Sequence, residues 1–520
     1  VRDGRERSTD VRPPSCTTSG SPRLAAALLF LALAGSTIVF WPLTRVYFFA
    51  DDFAAMLDIA NRGFLRFVVE PFGGHLCLAR NAIFYVVYRL FGFDPRPYYW
   101  SALLTHLVNV WLFFRVARAF TGSPVLACLG ATLWGTCPLL GGALGWYSVY
   151  GQVLVGTILL VVLERVEASP APVSTRVVAG WCALLLAGVF CFGVGIGVAL
   201  AFPLVLFLLR PAALAERGSQ VLVLSLVAIV PALYFGIRRL YFHFVPMPMQ
   251  DAILAAVALS HYGPIAAMLW HLIGFGVTGI VAGFLVAPQA YPGPASRSLV
   301  ASFVMAVLAG VLLGDGAARR RIGALASLAV ATYALVAVGR ANVYALLKVD
   351  PWVAARVPRY HYVGTIPLAL LLVVLVGQAV RRQARVVSGA VLAGWFVAAS
   401  AAFVRTGWRL EERQPVRAWV AAGMQSIDAH IAAAPVGGDV YIENQRAPFY
   451  VLGPMLGPAE FPGLAGIFVL AHAGNVVDGR RVHFVEPDPA TRARYSSPAD
   501  NRRLAGLLVG PEGVAGAGFR

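Results

Sequence analysis

Apolar runs of membrane-crossing length alternate with short polar stretches along most of the chain. A helix spanning the hydrocarbon core needs about 20 predominantly apolar residues. Runs approaching that length cover 24–42, 98–117, 124–140, 150–163, 177–192, 195–209, 219–236, 298–314, 322–338, 361–380 and 386–404. Alternating them from a cytoplasmic N-terminus puts Arg115 and Arg118, Arg165 and Arg176, Arg210 and Arg217, Arg319, Arg320 and Arg321, and Arg381, Arg382 and Arg385 all on the inner side. That is the bias cytoplasmic loops carry. A further run, 264–287, is apolar enough to cross, but a crossing there would move the Arg319–Arg321 triplet outside. It is therefore expected to be a re-entrant or interfacial element broken at Gly274-Phe275-Gly276, tolerated only where protein buries its backbone.

The segments between the runs divide the chain into a basic cytoplasmic tail (1–23), a transmembrane domain (24–404) and an outer C-terminal region (405–520). The first run is too long for a signal-peptide core and lacks a small-residue cleavage site, so it reads as a retained span. Long outer loops fall at 43–97, 237–297 and 339–360. Within the C-terminal region, "GDVYIEN" (438–444) and "RVHFVEP" (481–487) look strand-like between Gly and Pro breaks. They imply a small α/β domain or an irregular cap. No repeat of fixed period is present.

Composition agrees. The 520 residues are 59% hydrophobic and 13% charged, against roughly a quarter charged in soluble domains. The net charge of +17 comes mostly from Arg in short clusters between apolar runs, a loop pattern and not a nucleic-acid groove. Six cysteines (Cys16, Cys77, Cys128, Cys137, Cys182, Cys191) show neither CxxC nor His/Cys ligand spacing, so neither a disulfide framework nor a zinc site is implied.

The candidate chemistry begins at "FFADDFAAML", residues 48–57, where Asp51 and Asp52 follow the first span. Phe53, Met56, Leu57, Ala60 and Phe64 recur at helical spacing, with Asp58, Asn61 and Arg62 on the other face. An amphipathic helix along the outer surface follows. Asp52 suits its N-cap, leaving Asp51 the freer carboxylate. Two acids that merely cap a surface helix would look the same.

The continuation favours function. After the acid pair come Gly74-His75, a polar-aromatic helix, "LFGFDPRPYY" and a span containing "LLTHLVN"; later "RVPRYHYVGTIPLALLL" (356–372) enters another span. Over residues 46–165, and again at 356–372, this resembles the GT-C superfamily of integral-membrane glycosyltransferases, especially bacterial relatives of the mannosyltransferases that use lipid-phosphate sugars. Where some relatives carry a Lys-Glu pair near an outer turn, this chain has "CFGVGIGVAL" (191–200), which leaves the exact donor open. That Gly-rich run lacks the strand-turn-helix setting of a dinucleotide loop and reads as close helix packing or a tight turn. The resemblance implies an all-α polytopic fold, a GT-C-like bundle of about 11 transmembrane helices with outer amphipathic helices and a small C-terminal extracytoplasmic α/β region. It also implies inverting sugar transfer from a polyprenyl-phosphate donor to an acceptor hydroxyl at the outer face of the inner membrane.

A phosphate leaving group needs little protonation, so one carboxylate can serve as base. Asp51 is the candidate, with Asp52 as cap and second acceptor. Such a leaving group does need cations at headgroup depth. Arg340, Lys348, Arg356 and Arg359 lie on the outer side, against the usual bias. Arg359 with Tyr360 and Tyr362 is the candidate phosphate site, supported by Arg340. Snorkelling Arg and an aromatic belt are the structural alternative. Arg238 and Arg239 are a second possible site. His75 is expected near the acceptor or the carboxylates, where an imidazole could orient Asp51; a hydrogen-bonded loop histidine is the alternative. His106, inside a span, reads as a helix-helix hydrogen bond. Trp146, Tyr147 and Tyr150 in "GWYSVYGQ" read as belt residues or a sugar-stacking surface, with Gln152 near them. No cofactor is implied, and two adjacent acids are a thin ligand set for a divalent metal.

A transporter or flippase of lipid-linked sugars, or a polysaccharide polymerase or ligase, would also be polytopic and basic. Transporters usually mark their path with ionisable residues at mid-membrane, and these spans nearly lack them. The acids cluster in an outer loop, which favours an interfacial enzyme.

Overall fold

The computed structural model describes residues 22–48, 51–71, 75–169, 173–244, 262–282, 291–346, 348–382, 414–443, 468, 472 and 476–485. In chain order the helices are α1 (Pro22–Phe40), α2 (Asp51–Asn61), α3 (Phe64–Val69), α4 (Leu78–Phe91), α5 (Pro95–Thr121), α6 (Pro124–Gly135), α7 (Gly141–Leu144), α8 (Gly151–Ala168), α9 (Thr175–Val189) and α10 (Val194–Leu209). They continue as α11 (Arg217–Phe244), α12 (Tyr262–Ala282), α13 (Pro294–Leu313), α14 (Gly316–Leu346), α15 (Pro351–Ala355), α16 (Thr365–Arg382) and α17 (Gln414–Ala433). Seven of these are long and apolar enough to cross a membrane, and the pair Pro124–Gly135 with Pro138–Leu144, bent by 45°, makes an eighth. The bend falls at Pro138, which cannot donate to the preceding turn. Helices α9, α10 and α16 are apolar but shorter. Every predicted run up to residue 380 coincides with one of these helices; the predicted run 386–404 lies outside the described residues.

The bundle has two distinguishable ends. On α14, Arg320 and Arg340 are separated by about 20 residues, or ~30 Å of helix, the thickness of a hydrocarbon core. Helices α5, α8 and α10 each run between the same two levels. Tyr99, Ser148 and Gly193 lie within about a turn of their starts, while Phe120, Glu167 and Arg210 sit at their ends.

The predicted break at Gly274-Phe275-Gly276 is absent, since α12 runs unbroken from Tyr262 to Ala282. The glycines serve packing instead: a Cβ on Gly276 would lie 2.4 Å from the Tyr333 hydroxyl. Tyr291, just before α13, donates to the His271 carbonyl at 3.1 Å. The chain thus returns to the middle of α12 at the level where α13 begins. The helix continues for 11 residues past His271, about 17 Å, and Tyr262–Val281 is among the seven helices long and apolar enough to cross a membrane.

Between α1 and α5, helices α2, α3 and α4 gather at the Arg340 end. Helix α2 buries Asp52, Phe53, Ala55, Met56 and Ile59. Ala60 is exposed, and Phe64, 42% exposed, begins the separate helix α3 after Gly63. The apolar face is therefore rotated from the expected one and contains a carboxylate. Asp94 caps α5 by accepting from the Arg96 amide at 3.1 Å. In the C-terminal region the two strand-like stretches are β1 (Asp439–Glu443) and β3 (Arg480–Val485). They pair in parallel, with β2 (Val476–Val477) antiparallel on the other edge of β3. Helix α17 meets the bundle through the buried Arg417, which donates to the Gly145 carbonyl.

Candidate active site

Asp52 lies inside α2 and does not precede it. Its Oδ1 accepts from the Ser148 amide at 2.8 Å and from the Ser148 hydroxyl at 2.7 Å. The Tyr99 hydroxyl donates to Oδ2 at 3.5 Å. The side chain is fully buried. Asp52 therefore ties α2 to the turn at 147–149, which replaces the capping role expected of it. The Ser148 carbonyl in turn accepts from Nε and Nη2 of Arg80 at 2.9 and 2.8 Å. Arg80 is fully buried, and its Nη1 donates to the Asn81 side-chain oxygen Oδ1 at 2.6 Å. Buried charges are tolerated when their hydrogen bonds are met, and Ser148 serves both signs at once.

Asp51, one residue earlier, is half-buried. Burial, and then the Asp52 charge, push its carboxyl up to about 6, against the opposing pull of Arg359, Arg80 and Arg340. It is within electrostatic reach of guanidiniums from three separate parts of the chain. Raising the carboxyl in this way brings it toward the range in which a general base works best.

Arg359 has its guanidinium 4.7 Å from the Trp146 ring and 5.1 Å from the Tyr360 ring, and Nη2 donates to the Tyr360 hydroxyl at 3.5 Å. Tyr360 and Tyr344 share a hydroxyl contact of 3.0 Å. Burial alone would raise the Tyr360 phenol, but the Arg340 and Arg359 charges and the hydrogen bonds from Tyr344 and Arg359 hold it below its usual value. An oxygen whose anionic form is favoured by two guanidiniums marks a place suited to negative charge. The backbone of Arg359 reaches this position because residue 142 is glycine: a Cβ there would lie 2.6 Å from the Arg359 nitrogen and 2.6 Å from Pro358 Cβ. Tyr344 also lines an apolar cavity of about 240 Å³ with Pro264, Met268, Ala341 and Val349.

His75 is placed against Arg340, whose Nη2 is 3.2 Å from its Nε2. Burial, then Arg340 and Arg238, hold the imidazole down to about 3, so it is neutral and able to accept from Arg340. The ring lies 5.0 Å from that of Phe192, tilted by 34°, and fills the space a Cβ on Gly193 would need, 2.4 Å from Nδ1. The Gly-rich run thus makes room for a site residue. Arg238, the second possible phosphate ligand, acts on this same histidine.

Tyr362 does not join the cluster. It is fully buried, and its hydroxyl lies 2.9 Å from His106 Nδ1 and 3.0 Å from Asn109 Nδ2, both on α5. His106 also meets the Gly135 carbonyl at 3.0 Å, a helix-helix link as expected. Tyr147 and Tyr150 are buried and stacked on each other at 5.0 Å, with hydroxyls facing Ser101 and Thr105 on α5. They form neither an aromatic belt nor an open sugar platform. Gln152 is buried too. Arg340, expected in a loop, lies on α14.

Arg80 and Ser148 are site residues that the sequence reasoning missed. The available signal was "LARNAIF", which sets a charged residue one helical turn before Phe84 on what becomes the buried face of α4.

No family model matches the chain, and no curated protein matches it. The crystal structure of ArnT from Cupriavidus metallidurans bound to undecaprenyl phosphate is similar to it with a TM-score of 0.48 at 12% identity, covering 92% of this chain and 89% of that one. A similarity at this level carries no argument about chemistry, which rests on the side chains themselves.

Proposed function

We propose that the chain is a GT-C-type membrane glycosyltransferase that moves a sugar from a polyprenyl-phosphate donor to an acceptor hydroxyl at the membrane face bearing Asp51. What supports this reading is that Asp51, its carboxyl pushed up to about 6, lies within electrostatic reach of Arg359 and Arg340 at one end of the bundle. The resemblance of residues 46–165 and 356–372 to GT-C enzymes supports it, as does the apolar cavity beside Tyr344, which suits the first units of a prenyl chain.

In this mechanism the acceptor oxygen attacks the anomeric carbon while the bond from that carbon to the phosphate oxygen breaks. The departing oxygen keeps the electron pair. Asp51 takes the acceptor proton, and a single displacement inverts the anomeric centre. Arg359 and Arg340 stabilise the charge that develops on the phosphate, Arg359 offering a bidentate fork. His75 orients Arg340, while Asp52, held by Ser148, fixes the start of α2 and raises the basicity of Asp51. Trp146 keeps Arg359 in place by a cation-π contact.

The test is to incubate purified protein with a panel of polyprenyl-phosphate sugars and measure release of the lipid phosphate. Release from at least one donor, lost in Asp51→Asn, is expected. No release from any donor, or unchanged release in the variant, would overturn the assignment.

A further inference from the structure

The end of the bundle opposite Asp51 holds a second arrangement of guanidiniums that sugar transfer does not use. A cavity of about 210 Å³ opens between the ends of α8 and α10 and the start of α14, lined by Arg210, Arg320, Arg321, Glu167, Leu208 and Leu209 among others. That volume exceeds what a few waters fill. The positive-inside bias alone explains arginines pointing into solvent, but two of these are fixed around a hollow. Arg210 donates to the Glu167 carbonyl. Arg321 donates to the Phe120 carbonyl at 2.8 Å, lies 5.5 Å from the Phe120 ring and is 3.6 Å from the Glu167 carboxylate. Three guanidiniums against one carboxylate leave surplus positive charge, and the two leucines supply an apolar wall.

Depth selects the occupant. Arg320 stands ~30 Å along α14 from Arg340, one hydrocarbon thickness away. The cavity therefore sits at headgroup level of the leaflet opposite the acid pair, where basic pockets between helices meet anionic lipid. We propose that it binds the phosphate headgroup of an anionic phospholipid, with acyl chains leaving along Leu208 and Leu209. The phosphate recognises the guanidiniums; the apolar wall and the depth favour a lipid over a free ion.

The full chain in neutral detergent would be titrated with short-chain phosphatidylglycerol, with phosphatidylcholine of the same chain length, and with inorganic phosphate. Binding would be read by native mass spectrometry and by the shift in melting temperature. Saturable, salt-sensitive binding of phosphatidylglycerol alone is expected. Arg320 is exposed and makes the cleanest variant: Arg320→Ala should weaken binding about fivefold, and Arg320→Glu more, with the apo melting temperature unchanged. Inorganic phosphate binding as tightly as phosphatidylglycerol would overturn the lipid assignment. Equal affinity in wild type and Arg320→Glu would overturn the site.

Discussion

Replacing Asp51 by Asn should slow transfer by orders of magnitude and stabilise the protein, with the stability gain confined to high pH. The carboxyl is pushed from 3.8 to about 6, first by burial and then by Asp52. A raised carboxyl costs nothing in the folded state below about pH 4, where it is protonated folded and unfolded. The cost grows between 4 and 6 and is complete above 6. At about 1.4 kcal/mol per pKa unit the full penalty is about 3 kcal/mol, and partial exposure reduces it to about 2 kcal/mol. The amide carries no charge and escapes it. Melting wild type and Asp51→Asn at pH 4.5 and pH 8 should show a variant advantage that is small at the lower pH and near its full value at the higher. Activity of the wild type should rise with pH through about 6 and fall by ~10²–10⁴ in the variant, the usual worth of a general base. An advantage of the same size at both pH values, or none, would refute the reasoning that this acid is held in a charge-unfavourable place.

Arg359→Ala should raise the apparent donor KM by ~10–100-fold, the worth of a charge-assisted hydrogen bond, with little change in acceptor KM; steady-state titration of both substrates checks this. Gly142→Ala should displace Arg359 without touching its side chain, lowering donor affinity and costing ~1–3 kcal/mol of stability from overpacking, read by donor titration and thermal melts. Ser148→Ala removes one of the donors to the buried Asp52 and should destabilise by ~1–3 kcal/mol, measured by denaturation at pH 7.

How much of this was legible beforehand follows from which forces act locally. The spans could be read because a membrane-crossing helix declares itself by unbroken apolarity. The acid pair and Arg359 could be found because charges beside such helices stand out. Arg80 reads as part of a solvated face, as a charged residue in an amphipathic loop helix does, and the Ser148 carbonyl that helps make its burial tolerable is brought from far along the chain. Tyr362 was paired with Tyr360 by sequence proximity, yet Tyr360 sits in the short turn Pro358–Tyr360 while the hydroxyl of Tyr362 reaches across to α5. Arg340 reads as a loop residue because apolarity weakens after 338. The helix nevertheless continues to Leu346, and Arg340 finds a partner in His75. Each miss involves a polar group whose partner is distant in sequence, where periodicity is silent.

The central claim is that one carboxylate and two guanidiniums share a reacting phosphate sugar. It is tested most directly by a structure of the protein trapped with a non-transferable polyprenyl-phosphate sugar analogue. The account predicts phosphate density within hydrogen-bond distance of Arg359 and Arg340, with the anomeric carbon facing Asp51 and the prenyl chain entering beside Tyr344. A phosphate bound elsewhere, or one seated on the arginines with its sugar turned away from Asp51, would contradict it.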